Sequence, residues 1–236
     1  MRRYKKNKVK SPSVRLRYPL TKSISLVGLM GSGKTTVGVR LARKLGVAFV
    51  DSDAEIEVAA GHTVSEIFEK FGEDDFRNGE RKVIDRLISD KPMVLGTGGG
   101  AFMDRDTRKN LKDRTITVWL KANIDLLVER TSRRDTRPLL RAGNPEKILR
   151  DLAKKRYPIY GQADITVETG VGPHEKVVND IIAKLNDYLA AEKHQQDPNG
   201  PKNTPQKVRQ KHTRRYPPKK VRPQRSPVEK SPGKEA

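Results

Sequence analysis

Gly28-Leu29-Met30-Gly31-Ser32-Gly33-Lys34-Thr35 follows directly on the apolar run Ile24-Ser25-Leu26-Val27. The spacing is G-x-x-x-x-G-K-[ST], set between a run that reads as a strand and a stretch that reads as a helix. In that place the pattern has a mechanical meaning. Glycines let successive backbone N–H groups turn inward around phosphate oxygens, and the helix that begins here adds the positive end of its dipole. Lys34 supplies a compact charge for the outer phosphates, and Thr35 a hydroxyl for Mg2+. A glycine turn that matches by chance is the plain alternative, and the strand–helix setting argues against it. The chain is therefore expected to bind a nucleoside triphosphate.

Working outward, the charge is uneven. The 236 residues carry a net charge of +21. Residues 1–22 hold nine Lys/Arg and no acid, and residues 191–236 hold thirteen Lys/Arg against four acids. Each end is thus +9, leaving +3 for residues 23–190, which are long enough for a real core. The C-terminal stretch has eight of the fifteen prolines and few apolar side chains beyond Val208, Tyr216, Val221 and Val228. Such a segment cannot bury enough apolar surface to offset chain entropy, so 191–236 is expected to be a disordered basic tail and 1–22 a disordered basic extension. A solubilising tail without a partner is the plainer reading, with contact to nucleic acid, acidic membrane or an acidic partner the sharper one.

The chain has no cysteine, which excludes disulfides and Cys-ligated metal or redox sites. His62, His174, His194 and His212 show no ligand spacing, and each reads as a solvated or packed residue. No apolar run approaches the ~18 residues of a membrane span. The basic N-terminus lacks the apolar segment of a secretory signal; its acid-free character loosely resembles a transit peptide, against which Lys dominates and Ser is sparse. A cytoplasmic monomer is expected.

Between the ends, apolar runs alternate with amphipathic stretches, the pattern of βαβ units and a parallel sheet. Strands are expected at 23–28, 47–51, 92–96, 115–120 and 164–168. Helices are expected at 34–45, 53–60, 64–71, 74–89, 104–112, 123–132, 146–157 and 173–190. Thr63-Val64-Ser65-Glu66 reads as a capping box. Ligands of open α/β sheets sit beyond the carboxyl ends of the strands, so those ends are where function is sought.

The second strand ends in Phe49-Val50-Asp51-Ser52-Asp53. One carboxylate could reach a metal near the glycine loop and the other accept a proton from a hydroxyl nucleophile. Asp53 as a helix N-cap is the competing reading. The third strand ends in Gly96-Thr97-Gly98-Gly99-Gly100, which permits close approach of a ligand or marks only a flexible turn. Arg77 has Glu80 at i+3, an orienting partner or merely an exposed ion pair. Residues 129–140 are polar, basic and closed by Pro138-Leu139-Leu140, consistent with a lid over ATP. Arg156, in Lys154-Lys155-Arg156-Tyr157-Pro158-Ile159-Tyr160, lies near a helix end, where a cation facing the last carbonyls is the simpler account.

GLMGSGKT, FVDSD, DDFRNGE, GTGGG, TRPLL and RYPIY, in this order and spacing, together resemble the shikimate kinase family over residues 23–190. The resemblance implies a three-layer P-loop kinase fold, with a five-stranded parallel sheet in the order 2-3-1-4-5 and helices on both faces. A lid at about 130–145 and a substrate-binding segment complete it. It implies transfer of the γ-phosphoryl group of ATP to the 3-hydroxyl of shikimate, a step towards chorismate and the aromatic amino acids. Gly31, Ser32, Gly33, Lys34, Thr35 and Thr36 then meet the ATP phosphates, with Arg130 and Arg137 as basic lid-hinge and lid positions. Thr35 ligates Mg2+, and Asp51 reaches it through water. Asp53 meets the substrate hydroxyl as base; Gly98, Gly99, Gly100, Arg77 and Arg156 bind substrate, the arginines facing its carboxylate. Asp53, Lys34 and Arg137 are the expected catalytic groups.

Two alternatives share some of these features. A gluconate or nucleotide kinase would keep the glycine loop and lid without needing the Asp-x-Asp, Phe-Arg and triple-glycine set. A nucleic-acid-associated ATPase would use the basic tails, and its binding would weaken steeply with salt.

Overall fold

The computed structural model describes residues 14–88, 91–132 and 144–196. The first thirteen residues, the tail from 197 onward, and the part of the expected lid spanning 133–143, Arg137 included, lie outside the described residues.

β1 (Ser23–Val27) is buried at all five positions and pairs in parallel on both sides. Its neighbours are β3 (Val94–Gly96) and β4 (Thr115–Ala122), flanked in turn by β2 (Phe49–Asp51) and β5 (Ile165–Thr169). The five-stranded order is therefore β2-β3-β1-β4-β5, as the resemblance implied. A strand covered on both faces reads as a continuous apolar run, which is why the sequence showed these segments.

Alternate residues feed two cores. Ile24, Leu26, Ile116, Val118 and Leu120 pack with α1 (Lys34–Leu45) and α7 (His174–Gln196) on one face. Val27, Leu95 and Trp119 join Ile84 of α3 (Val64–Leu87), Leu111 of α4 (Arg105–Arg114), Leu127 of α5 (Ile124–Ser132) and Leu149 of α6 (Pro145–Tyr160) on the other. α2 (Ser52–Ala60) and the first half of α3 form a hairpin beyond the end of β2. The two helices expected at 64–71 and 74–89 form one run, Val64–Leu87, broken at Gly72 (φ 83°, ψ 177°). The capping box is present: Thr63 N donates to Glu66 Oε2 (2.8 Å) and Glu66 N donates back to Thr63 Oγ1 (3.3 Å).

Residues 14–22 differ from the expected disordered extension. They run along α7 with strict alternation of half-buried and exposed positions, as in extended chain. Val14, Leu16, Tyr18 and Leu20 pack against the core between α1 and α7. Asn186 clamps the arm, accepting from Arg17 N (2.7 Å) and donating to Arg15 O (3.0 Å). Lys22 pairs with Glu192 at 3.1 Å, and Lys193 Nζ lies 5.0 Å from the Tyr18 ring centre. The charge count of this stretch had obscured its period-two apolar face.

Candidate active site

The loop after β1 closes on α1 through Gly33, whose φ of 95° is a left-handed conformation that a side chain resists. With no side-chain cap there, the first N–H groups of α1 face the cleft. Lys34 Nζ donates to Gly28 O (2.8 Å) and Leu29 O (3.1 Å), which holds its charge at the mouth of the loop. Ser32 is the exception among the loop residues expected at the phosphates: its side chain is buried beneath the loop and does not line the cleft.

The two aspartates divide their work differently from the N-cap reading. Asp51, not Asp53, caps α2, its Oδ1 accepting from Asp53 N at 3.1 Å. Its Oδ2 accepts from Thr35 Oγ1 at 3.1 Å, tying the end of β2 to the glycine loop. Asp53, one residue inside α2, is turned towards the third strand's glycines.

Those glycines each face a charged group. A Cβ on Gly98 would lie 2.6 Å from Asp53 Oδ1 and 2.8 Å from Glu80 Oε1. On Gly99 it would lie 3.5 Å from Arg156 Nη1, and on Gly100 only 2.3 Å from Arg77 Nη2. Close approach of charged heads to the backbone, rather than turn flexibility, accounts for Gly98 and Gly100; at Gly99 the approach is an ordinary contact. Gly98 N donates to the buried Ser52 Oγ at 3.0 Å, which fixes the turn against α2.

Arg77 is not an exposed i,i+3 pair. Its Nη1 donates to Glu80 Oε2 at 2.5 Å and its Nη2 to Glu73 Oε1 at 3.1 Å, and Glu80 is 1 % exposed. Burial pushes the Glu80 carboxyl above its ordinary range; Arg77 pulls it back, and the charge of Asp53 adds to the rise. Burial works against the Arg77 cation too, but Glu80 and Glu73 outweigh it and leave its pKa raised. The pair is favourable seen from the arginine and costly seen from the more deeply buried carboxylate. Burial of the acid sets the balance, so the pair orients the guanidinium more than it stabilises the fold. Arg156 likewise ignores the carbonyls at the end of α6 and donates from Nη1 to Gly99 O at 2.8 Å.

Two adjoining compartments result. One, of about 370 Å3, is lined by Gly31, Gly33, Lys34, Thr35, Thr36 and Asp51, with Arg130 at its rim. The other, of about 360 Å3, is lined by Arg77, Gly98, Gly100 and Arg156, with the apolar Met30, Phe68 and Phe76. Asp53 and Gly99 line both. Arg130 bridges the glycine loop and the turn after β5, donating to Gly31 O (3.3 Å) and Gly170 O (3.1 Å). Every described residue expected at the site, Ser32's side chain apart, is thus brought to one continuous cleft.

Sequence reasoning missed several lining residues. Thr97, Thr131 and His174 belong to the first compartment and Glu57 to the second. His174, expected to be solvated or packed, lines the cleft; burial, then Arg40 and Arg130, lower its pKa and favour the neutral ring. The signal for it was its place, just past Pro173 at the end of the fifth strand's turn. Among the described residues no helix is long and apolar enough to cross a membrane, and no cluster of three or more His, Cys, Asp or Glu is placed to hold a metal ion.

The sequence model of the family described as shikimate kinase matches residues 30–186. A shikimate kinase of Caulobacter vibrioides is 52% identical over 164 residues, covering 70% of this chain and 82% of its own. One from Paramagnetospirillum magneticum is 52% identical over 172 residues, covering 73% and 88%. Among solved structures, the shikimate kinase of Acinetobacter baumannii in complex with shikimate superposes with a TM-score of 0.66 at 45% identity, over 74% of this chain and 96% of that one. A gluconokinase from Sinorhizobium meliloti, at 20% identity and a TM-score of 0.52 over 75% of this chain and 100% of its own, shares the fold alone.

Proposed function

Since this chain belongs to the shikimate kinase family, we propose that ATP occupies the Gly28–Thr36 compartment and shikimate the triple-glycine compartment, with Asp53 where they meet. The chain is a phosphotransferase that moves the γ-phosphoryl group of ATP to the 3-hydroxyl of shikimate, on the route to chorismate. The observation that supports the site reading is the shared wall: Asp53 and Gly99 line both compartments, so a terminal phosphate and a hydroxyl acceptor can meet there.

Shikimate is a small polyhydroxylated anion. The planar donor forks of Arg77 and Arg156 suit its carboxylate, and the carboxylate of Asp53 suits a hydroxyl. In the transfer, the hydroxyl oxygen bonds to the γ-phosphorus as the bond from that phosphorus to the bridging oxygen breaks. The electron pair leaves with ADP, and the hydroxyl proton passes to Asp53. Lys34 and the N–H groups opening α1 meet the phosphate charge, and Arg137 joins them in this reading.

Thr35 Oγ1 and Asp51 Oδ2, 3.1 Å apart at the mouth of the loop, are a pair of hard oxygen donors that fits Mg2+. Held by these two residues, Mg2+ would supply neutralisation of charge on the outer phosphates. The reading includes a monomer and a cytoplasmic location. The test is ADP release in a coupled assay, with shikimate, gluconate or a nucleoside monophosphate as acceptor. Release driven by shikimate alone is expected; equal release with either of the others would overturn the reading.

A further inference from the structure

We propose that Tyr160 is a positioning residue, whose phenol fixes the Gly99 carbonyl and, through it, the guanidinium of Arg156. The inference rests on the reading that Arg156 meets the substrate carboxylate. Gly99 O accepts two hydrogen bonds, one from Arg156 Nη1 at 2.8 Å and one from Tyr160 OH. Both donors come from α6, four residues apart, and so from one face of the helix. They differ in freedom. Arg156 reaches the carbonyl on a long flexible stem, whereas Tyr160 is 0 % exposed and has only two side-chain torsions.

Its ring is held on two sides, with centroids 6.4 Å from Phe102 and 6.1 Å from Trp119. Burial raises the phenol's pKa, with Arg156 opposing, so the hydroxyl keeps its proton and donates. The rigid donor fixes the carbonyl, and the flexible one is registered against it. One Arg156 nitrogen is thereby spent on orientation, and the rest of the fork is left to face the second compartment, which Arg156 lines.

Tyr160→Phe removes one hydroxyl and keeps the packed ring. We expect KM for shikimate to rise about 3- to 10-fold, the worth of one neutral hydrogen bond, with kcat and KM for ATP nearly unchanged and Tm lowered by no more than a few degrees. In an Arg156→Lys background the same change should cost little, because the group it positions is gone. Additive effects of the two substitutions, or a fall in Tm without a rise in KM, would overturn the proposal by reducing Tyr160 to a packing residue. Arg156→Lys raising KM while Tyr160→Phe does not would overturn it and leave the site reading intact. An unchanged KM in Arg156→Lys would overturn both.

Discussion

Arg77 Nη2 lies so close over Gly100 that a Cβ there would stand 2.3 Å from it, with Arg77 Cζ at 2.7 Å. A side chain on Gly100 would force that guanidinium to move. The same turn presents Gly98 to two carboxylates and Gly99 to Arg156. The second compartment is thus floored by bare backbone, and its charged walls come from α2, α3 and α6.

Gly100→Ala should push the Arg77 guanidinium off its seat while leaving the glycine loop untouched. The displaced fork loses its charge-assisted contact, worth about 1.5–3 kcal/mol, so shikimate affinity should fall roughly 10- to 150-fold, with ATP affinity retained. Equilibrium titration with each ligand decides it; an unchanged shikimate affinity would show that Arg77 has room to spare.

Asp53→Asn preserves size and removes the proton acceptor. Turnover should drop about 10²–10⁴-fold, the usual range for a positioned base, while ATP affinity stays nearly constant. Pre-steady-state single-turnover rates are the measurement. Near-normal turnover would take Asp53 out of the base role and leave it as a binding group at the boundary of the two compartments.

The fold was legible because its strands are short apolar runs and the loop after β1 announces its own chemistry. The site was legible where residue type and place coincide, as at Lys34, Asp51 and Asp53. It was not legible where a role depends on who stands opposite. Glu80 reads equally as an orienting partner of Arg77 or as half of an exposed ion pair until its burial and its approach to Gly98 are known. Tyr160 lies beyond the helix expected at 146–157 and carries no role in the sequence until its hydroxyl meets Gly99 O. His174 follows a proline in an unremarkable turn, and only the parallel register of β5 with β4 brings it beside Arg130.

Glu80 has a stability signature that depends on pH. Burial, the largest influence, raises its pKa above the ordinary 4.5, so the folded state holds this proton more tightly than the unfolded one. Its contribution is fully present below pH 4.5 and is lost as pH rises through the raised folded value. Urea melts of the wild type and Glu80→Gln, compared across pH, should show the wild-type advantage shrinking as pH rises. An advantage that grew with pH would mean that attraction to Arg77 outweighs burial. Shikimate KM should rise in Glu80→Gln at every pH, because Arg77 then leans only on Glu73.

Asn186 tests the arm at the far end of the sheet. It is 6 % exposed and makes two hydrogen bonds to arm backbone, from Arg17 N and to Arg15 O. The arm leads into the start of β1 at Ser23, whereas the cleft lies beyond the end of that strand. Asn186→Ala should therefore cost about 1–3 kcal/mol of stability through two lost bonds. It should lower Tm by a few degrees and leave KM for ATP and for shikimate unchanged, because no arm residue lines either compartment. Thermal melts paired with steady-state kinetics separate these effects. A variant as stable as the wild type would mean that the apolar contacts of Val14, Leu16, Tyr18 and Leu20 hold the arm without the clamp.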